Sequence, residues 1–270
     1  MLYLIATPIG NLEDITLRAL RILKEADYIL CEDTRKAKVL LDRYKIKNSL
    51  KSYHKFSESK KLTAILEDLK SNLNIALISD GGSPLVSDPG LLLVKKCMEN
   101  NIAYSSIPGA SSVINGLVLS GLSDERFQFM GFFSKKTSER LKMLHQMAMY
   151  PGTSLAFITP HNVEKILQDI KKYYPEKEIV ILREMTKKYE EIIRGTADTL
   201  LKQYCKKPFK GEMVLALLGF EKPPHDLSIK EMILLVQNVW MLSEKEAIEI
   251  SAKIKNISKK EIYQKIKIKK

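Results

Sequence analysis

The chain has 270 residues, 45% of them apolar, and carries 44 Lys and Arg against 32 Asp and Glu. That length and apolar content favour two modest domains and exclude an intrinsically disordered chain. The net charge of +12 suits a polyanionic partner, but lysine used as solvated surface gives the same total, and composition alone leaves both open.

The longest apolar run, residues 213–220, is far too short to span a bilayer, so no membrane partner is expected. Met1 to Gly10 has no basic leader and is followed by Glu13 and Asp14, so it reads as a buried strand and not as a signal peptide. Cys31, Cys97 and Cys205 are odd in number and widely spaced. They support neither a disulfide framework nor a zinc site; no metal is expected, and a reducing cytoplasm is the default.

In chain order, residues 2–6 read as a strand, 16–26 as an amphipathic helix with Leu17, Leu20 and Leu23 at helical spacing, and 28–31 as a second strand. Helices are expected at 36–44 and 58–70, strands at 75–79, 103–107 and 127–130, and helices at 91–98 and 111–119 among them. This βαβ alternation predicts a mostly parallel sheet. Beyond the turn-rich residues 120–124 come helix 135–149, strand 154–159, helix 163–172, strands 178–183 and 190–194, helix 197–204 and strand 212–219. The adjacent late strands predict a mixed sheet. Lys222-Pro-Pro-His225 reads as a stiff linker, and helices at 228–239, 243–254 and 258–266 each start at a serine suited to N-capping. The expected domains are therefore 1–120, 121–221 and a basic helical extension, 225–270.

Charge is unevenly placed. Ten Lys and Arg lie between Arg35 and Lys61 against only Asp42 and Glu58, and the last twenty residues carry eight lysines against Glu261. Tyr44, Tyr53 and Phe56 interleave the first cluster, as a track for a nucleic-acid backbone with stacking rings would require; for Tyr44 a place in the core is favoured.

Four segments rich in Gly, Pro or Asp fall where strands end, the usual place for ligands in an open parallel sheet. They are Ala6-Thr-Pro-Ile-Gly-Asn11, Cys31-Glu-Asp-Thr-Arg35, Ser79-Asp-Gly-Gly-Ser-Pro-Leu-Val-Ser-Asp-Pro-Gly90 and Pro108-Gly-Ala-Ser-Ser112. The third is too long and too polar for a simple turn, and its paired glycines permit close backbone approach to a ligand. Glu32-Asp-Thr-Arg35 is either a proton-handling cluster or a helix start capped by Asp33 or Thr34. Neither a GxGxxG after the first strand nor a GxxxxGK[ST] occurs, so the dinucleotide fingerprint and the P-loop fail. His54, His145, His161 and His225 lack metal-ligand spacing.

The string from Leu2 to Thr16, with Glu32-Asp-Thr-Arg35, Ser87-Asp-Pro-Gly90, Pro108-Gly109, Arg183-Glu-Met-Thr-Lys187, Arg194-Gly-Thr196 and Lys210-Gly-Glu212, resembles the ribosomal RNA methyltransferase branch of the tetrapyrrole methylase superfamily. The collinear match runs over residues 1–220 and is far more specific than any one motif. The resemblance implies an α/β, two-domain tetrapyrrole-methylase-like fold with a small C-terminal helical extension, with S-adenosylmethionine held between two domains, and a homodimer. It implies methyl transfer to the 2′-oxygen of a cytidine in the decoding region of 16S rRNA, within the small ribosomal subunit. By motif position, the cofactor contacts are Pro8, Asp80, Gly81, Gly82, Ser83, Val86, Ser111, Ser112, Ile158 and Met185. An unactivated ribose hydroxyl needs a base: Asp33 is the first candidate, with Glu32 and His54 behind it, and Arg35 would orient a carboxylate or hold a phosphate. Phe157-Ile-Thr-Pro-His-Asn162 departs from the family, which commonly has Tyr-Glu before the proline and Arg after the histidine. Methylation of a porphyrin or corrin precursor, and RNA binding in ribosome assembly without catalysis, are the alternatives.

Overall fold

The computed structural model describes residues 1–54, 58–122, 125–219, 228–240 and 242–267. The linker at 222–225, Phe56 and the last two lysines lie outside the described residues. The chain divides into two compact units, Met1–Asn115 with Met185–Lys188, and Gly116–Glu184 with Tyr189–Lys270.

The first unit is built on five strands: β1 (Leu2–Ile5), β2 (Tyr28–Cys31), β3 (Leu50–Ser52), β4 (Ile75–Ile78) and β5 (Tyr104–Ile107). Their order is β3-β2-β4-β1-β5 and every pairing is parallel. Alternate residues serve two cores. Ile5, Ile29, Cys31, Ala76 and Ile78 pack on one face with Ala19, Leu23, Leu40 and Leu41; Leu2, Leu4, Leu30, Ile75 and Leu77 pack on the other with Ile65, Leu69, Leu93 and Cys97. Burial on both faces explains why these strands read as continuous apolar runs, each Leu or Ile contributing roughly 1.5–3 kcal/mol of transfer free energy. The covering residues come from α1 (Leu17–Glu25), α2 (Thr34–Arg43), α3 (Glu58–Lys70) and α4 (Leu91–Glu99). Thr16 caps α1 by accepting the Ala19 N–H at 3.1 Å. The division between the units falls within α5 (Ser112–Ser120).

In the second unit, β6 (Phe127–Phe132), β7 (Thr153–Ile158), β8 (Glu178–Arg183), β9 (Glu191–Thr196) and β10 (Met213–Leu218) form the order β6-β7-β10-β8-β9. Only β6 and β7 are parallel, giving the mixed sheet expected from the adjacent late strands. Its core joins Leu144, Met147, Ile166, Leu167, Ile181 and Leu215 from the sheet, α6 (Thr137–Met149) and α7 (Val163–Tyr173). α8 (Ala197–Lys206) follows β9 directly, with Thr196 as its N-cap. The buried Arg140 guanidinium meets Asp169 at 2.6 Å, joining α6 to α7.

The C-terminal helices α9 (Ile229–Trp240), α10 (Glu244–Lys255) and α11 (Lys259–Lys267) close on a small core of Met232, Ile233, Val236, Ala247, Ile248, Ala252 and Ile262. Ser243 and Glu246 form a reciprocal capping box on α10, which ends at Asn256 in the left-handed conformation. α9 also packs against α6. Among the described residues no helix is long and apolar enough to cross a membrane.

Candidate active site

The carboxyl ends of β1, β4 and β5 are tied together by main-chain contacts. Thr7 and Gly82 exchange N–H···O bonds of 2.9 Å each way. The Thr7 hydroxyl donates to the Ser79 carbonyl at 3.1 Å, and the Ser79 hydroxyl to the Gly82 carbonyl at 3.0 Å. Gly82 has φ of +84°, which favours glycine, and a Cβ on Gly81 would lie a tight 3.3 Å from the Pro8 carbonyl oxygen where the loops meet. A Cβ on Gly109 would touch the Cβ of Ala6 at 3.0 Å. Small residues thus let the loops after three strands approach as bare backbone.

This arrangement fits the cofactor contacts expected in the first unit. Pro8, Gly81, Gly82 and Ala110 crowd one another, Ser83, Ser111 and Ser112 remain partly accessible, and Val86 is 43% exposed although apolar. Main-chain groups with serine hydroxyls suit a ribose and an amino-acid carboxylate, and an uncovered valine suits a flat apolar ring. Met185 is buried in the first unit, on a segment packed against Gly10. Ile158 belongs to the second unit, where it pairs with Met213 and its side chain is 2% exposed in that unit's core; it can offer a ligand little beyond its main chain.

Glu32 and Asp33 follow β2 on the same sheet edge. Asp33 is the N-cap of α2: its carboxylate accepts the Arg35 N–H at 2.9 Å and two guanidinium bonds at 3.0 and 2.7 Å. The Arg35 hydrogen bonds hold this carboxyl down at about 2. Asp80 reaches the same corner, accepting the Asp33 N–H at 3.2 Å and the Lys36 ammonium at 2.7 Å. Asp88 behaves in the opposite way. Burial, with Glu32 and Asp80 beside it, pushes its carboxyl up to about 6, against a smaller opposing hydrogen bond from Ser79. Two carboxyls on one edge are therefore driven apart, one firmly ionised and one poised near neutrality.

His54 follows Tyr53 just beyond β3, and its carbonyl accepts the Glu58 N–H at 3.0 Å. The Glu58 carboxylate accepts the buried Tyr53 hydroxyl at 2.9 Å and the Gly90 N–H at 3.2 Å, pinning the far end of the 79–90 loop. Tyr44 lies against the first unit's core, as favoured for it, and donates to the Leu12 carbonyl at 2.7 Å. In Arg194-Gly-Thr196 the roles are structural: Arg194 donates to the Leu119 and Ser120 carbonyls at the end of α5, and Thr196 caps α8. Asn162 is likewise structural, accepting the Thr159 N–H at 2.7 Å at the head of α7. Among the described residues, no group of three His, Cys, Asp or Glu side chains is placed to hold a metal ion.

Asp88 and Glu58 did not stand among the expected site residues. Their signal was a carboxylate inside a segment too long for a turn, and one acidic residue in a strongly basic stretch. What each does depends on burial and partners that only the fold supplies.

An open parallel sheet whose carboxyl edge gathers glycine-rich loops, followed in the chain by a five-stranded mixed sheet, is the architecture of a small-molecule-binding α/β protein. Residues 1–201 match the model of the tetrapyrrole (corrin/porphyrin) methylases. The ribosomal RNA small subunit methyltransferase I of Halalkalibacterium halodurans is 38% identical over 268 residues, covering 97% of this chain and 93% of that relative. Its namesake from Mycoplasmopsis pulmonis is 42% identical over 216 residues, covering 79% of this chain and 96% of that relative. Among solved structures, uroporphyrin-III C-methyltransferase from Thermus thermophilus, complexed with S-adenyl homocysteine, superposes with a TM-score of 0.57 at 17% identity, covering 80% of this chain and 96% of that one. The chain belongs to the tetrapyrrole methylase family and is a methyltransferase.

Proposed function

We propose that this chain uses S-adenosylmethionine to methylate small-subunit ribosomal RNA, at the ribose 2′-oxygen of a cytidine in the decoding region of 16S rRNA. The observation that carries the coarser reading, methylation of small-subunit ribosomal RNA, is 36–38% identity over nearly the whole chain to relatives named ribosomal RNA small subunit methyltransferase I; the ribose 2′-oxygen of a cytidine is what the motif resemblance adds. S-adenosylmethionine, when bound, supplies a methyl group on a positive sulfonium. In the first unit, Pro8, the Gly81-Gly82-Ser83 turn, Val86, Ser111, Ser112 and Met185 would hold it.

The protein's own task is to orient the hydroxyl and take its proton. Asp33, ion-paired and ionised far below neutrality, is a weak base, and its geometry suits it to fix Arg35 and the start of α2. The proton acceptor in this reading is Asp88, backed by Glu32. Arg35, with its side chain 89% exposed, presents a planar cation for a substrate phosphate, and His54 stands on the same sheet edge. The protein would act in the cytoplasm, as a homodimer, on the small subunit.

Incubation with methyl-labelled S-adenosylmethionine tests the reading, with unmodified small subunits in one arm and tetrapyrrole precursors in the other. Label on a cytidine 2′-oxygen is expected. Label in the pigment, or RNA binding without transfer, would refute it.

A further inference from the structure

The first unit carries an open concavity of about 500 Å³ lined by Gly10, Asn11, Leu12, Glu13, Arg43, Thr186, Lys187 and Lys188. Three cations and one carboxylate face it, and its walls are firmly built. Asn11 accepts the Glu13 N–H at 3.1 Å, and the Tyr44 hydroxyl ties the Leu12 carbonyl to the end of α2. Gly10 lets the 185–188 segment seat closely: a Cβ there would lie 2.6 Å from the Met185 carbonyl oxygen and from Lys187 Cγ. Thr186 takes a φ of +64°, a conformation that costs a β-branched residue about 1–3 kcal/mol. The same strained turn brings Lys187 and Lys188 to the concavity beside Arg43. Glu13 meets Arg43 at only 3.8 Å with both side chains more than half exposed, a contact that solvent weakens.

We propose that this concavity binds a backbone phosphate of the RNA substrate, outside the methyl-transfer site, through Arg43, Lys187 and Lys188. The proposal rests on the rRNA reading above. Arg43 ends the helix that Asp33 begins, so α2 sets the spacing. The ten residues of α2, at about 1.5 Å each, separate the two positions by about 15 Å. That separation places the held phosphate away from the sheet corner where Asp33 and Asp80 meet.

The test uses the full chain carrying Arg43→Gln with Lys188→Gln, neither residue being part of the transfer machinery. Fluorescein-labelled single-stranded RNA reports affinity across a salt series, and unmodified small subunits report turnover. Expected are roughly tenfold weaker RNA binding and a log–log salt slope smaller by about 0.7 for each phosphate no longer neutralised. The Kd for S-adenosylmethionine and turnover at saturating subunits should be unchanged. In a scan of single neutral methylphosphonates along the RNA, one position should weaken the wild type and leave the double variant indifferent. Arg43→Lys should keep the salt slope, which guards against a folding defect in the glutamine variant. Wild-type affinity and slope in the double variant, alongside normal methylation, would overturn the subsite alone. Equal weakening in Arg43→Lys and Arg43→Gln would overturn it too, by showing that charge is not what binds. A wild type that neither binds nor methylates rRNA would instead overturn the reading beneath it.

Discussion

Replacing Glu58 by alanine should loosen the site from outside it. One carboxylate oxygen accepts both the Tyr53 hydroxyl and the Gly90 N–H, at 2.9 and 3.2 Å. Tyr53 is fully buried, so its hydroxyl has no water to turn to once the carboxylate is gone. An unsatisfied buried donor costs about 1–3 kcal/mol, and the partly buried Gly90 N–H adds about 1, for a total near 2–4 kcal/mol. For a chain of this size that lowers the melting temperature by roughly 5–15 °C. Gly90 closes the segment that carries Ser83, Val86 and Asp88, so affinity for S-adenosylmethionine should fall as well. Differential scanning calorimetry and equilibrium binding measure the two effects. Glu58→Gln keeps an acceptor oxygen and should lose much less. Tyr53→Phe removes one of the two donors, so Glu58→Ala should cost less in that background. If Glu58→Ala melts within about 1 °C of the wild type and binds the cofactor equally well, the pinning argument is wrong.

Asp88→Asn should abolish the acidic limb of the pH–rate profile near 6, the limb arising because Asp88 must be ionised to accept a proton; an unchanged limb would exclude it as the base. Its folded-state pKa lies above the ordinary value, so the stability linked to it is present at low pH and is lost as pH rises through about 6. The same variant should therefore be more stable at pH 8, by about 1 kcal/mol once solvent screening of this half-buried carboxyl is allowed for, measured by urea unfolding. Arg140→Ala should cost about 3–5 kcal/mol, because Asp169 is left largely buried without its partner; a loss under about 1 kcal/mol would show that the pair is solvated. Converting Lys253, Lys260 and Lys265 to Gln should reduce the salt slope of RNA binding while α9–α11 stay folded by circular dichroism, since all three side chains are exposed.

The strands of the first unit were legible where both faces are buried, because β1, β2 and β4 are almost uninterrupted apolar runs. β3 was not: Leu50-Lys-Ser has one apolar residue, sits at the sheet's margin and lies in a segment whose charge invites a nucleic-acid reading. Asp33 shows a different limit. Its sequence context suits a cap and a catalytic carboxylate equally, and only the doubled bond to Arg35 shows how fully it is engaged. The membership of residues 185–188 in the first unit was out of reach, since it depends on Gly10 accepting a neighbour 175 positions away. Raised or lowered pKa values are hidden for the same reason: Asp88 and Asp33 are the same side chain, separated by burial and by one guanidinium.

The two margins of the parallel sheet carry a consequence for self-association. β3 has three residues and includes Lys51; β5 reads Tyr-Ser-Ser-Ile and is half polar. Margins so short and hydrophilic make poor templates for a further strand, the usual route by which sheets recruit copies of themselves. Any contact between copies of this chain should therefore run through helices and loops and not through the rims of this sheet, which keeps it safe from runaway strand addition.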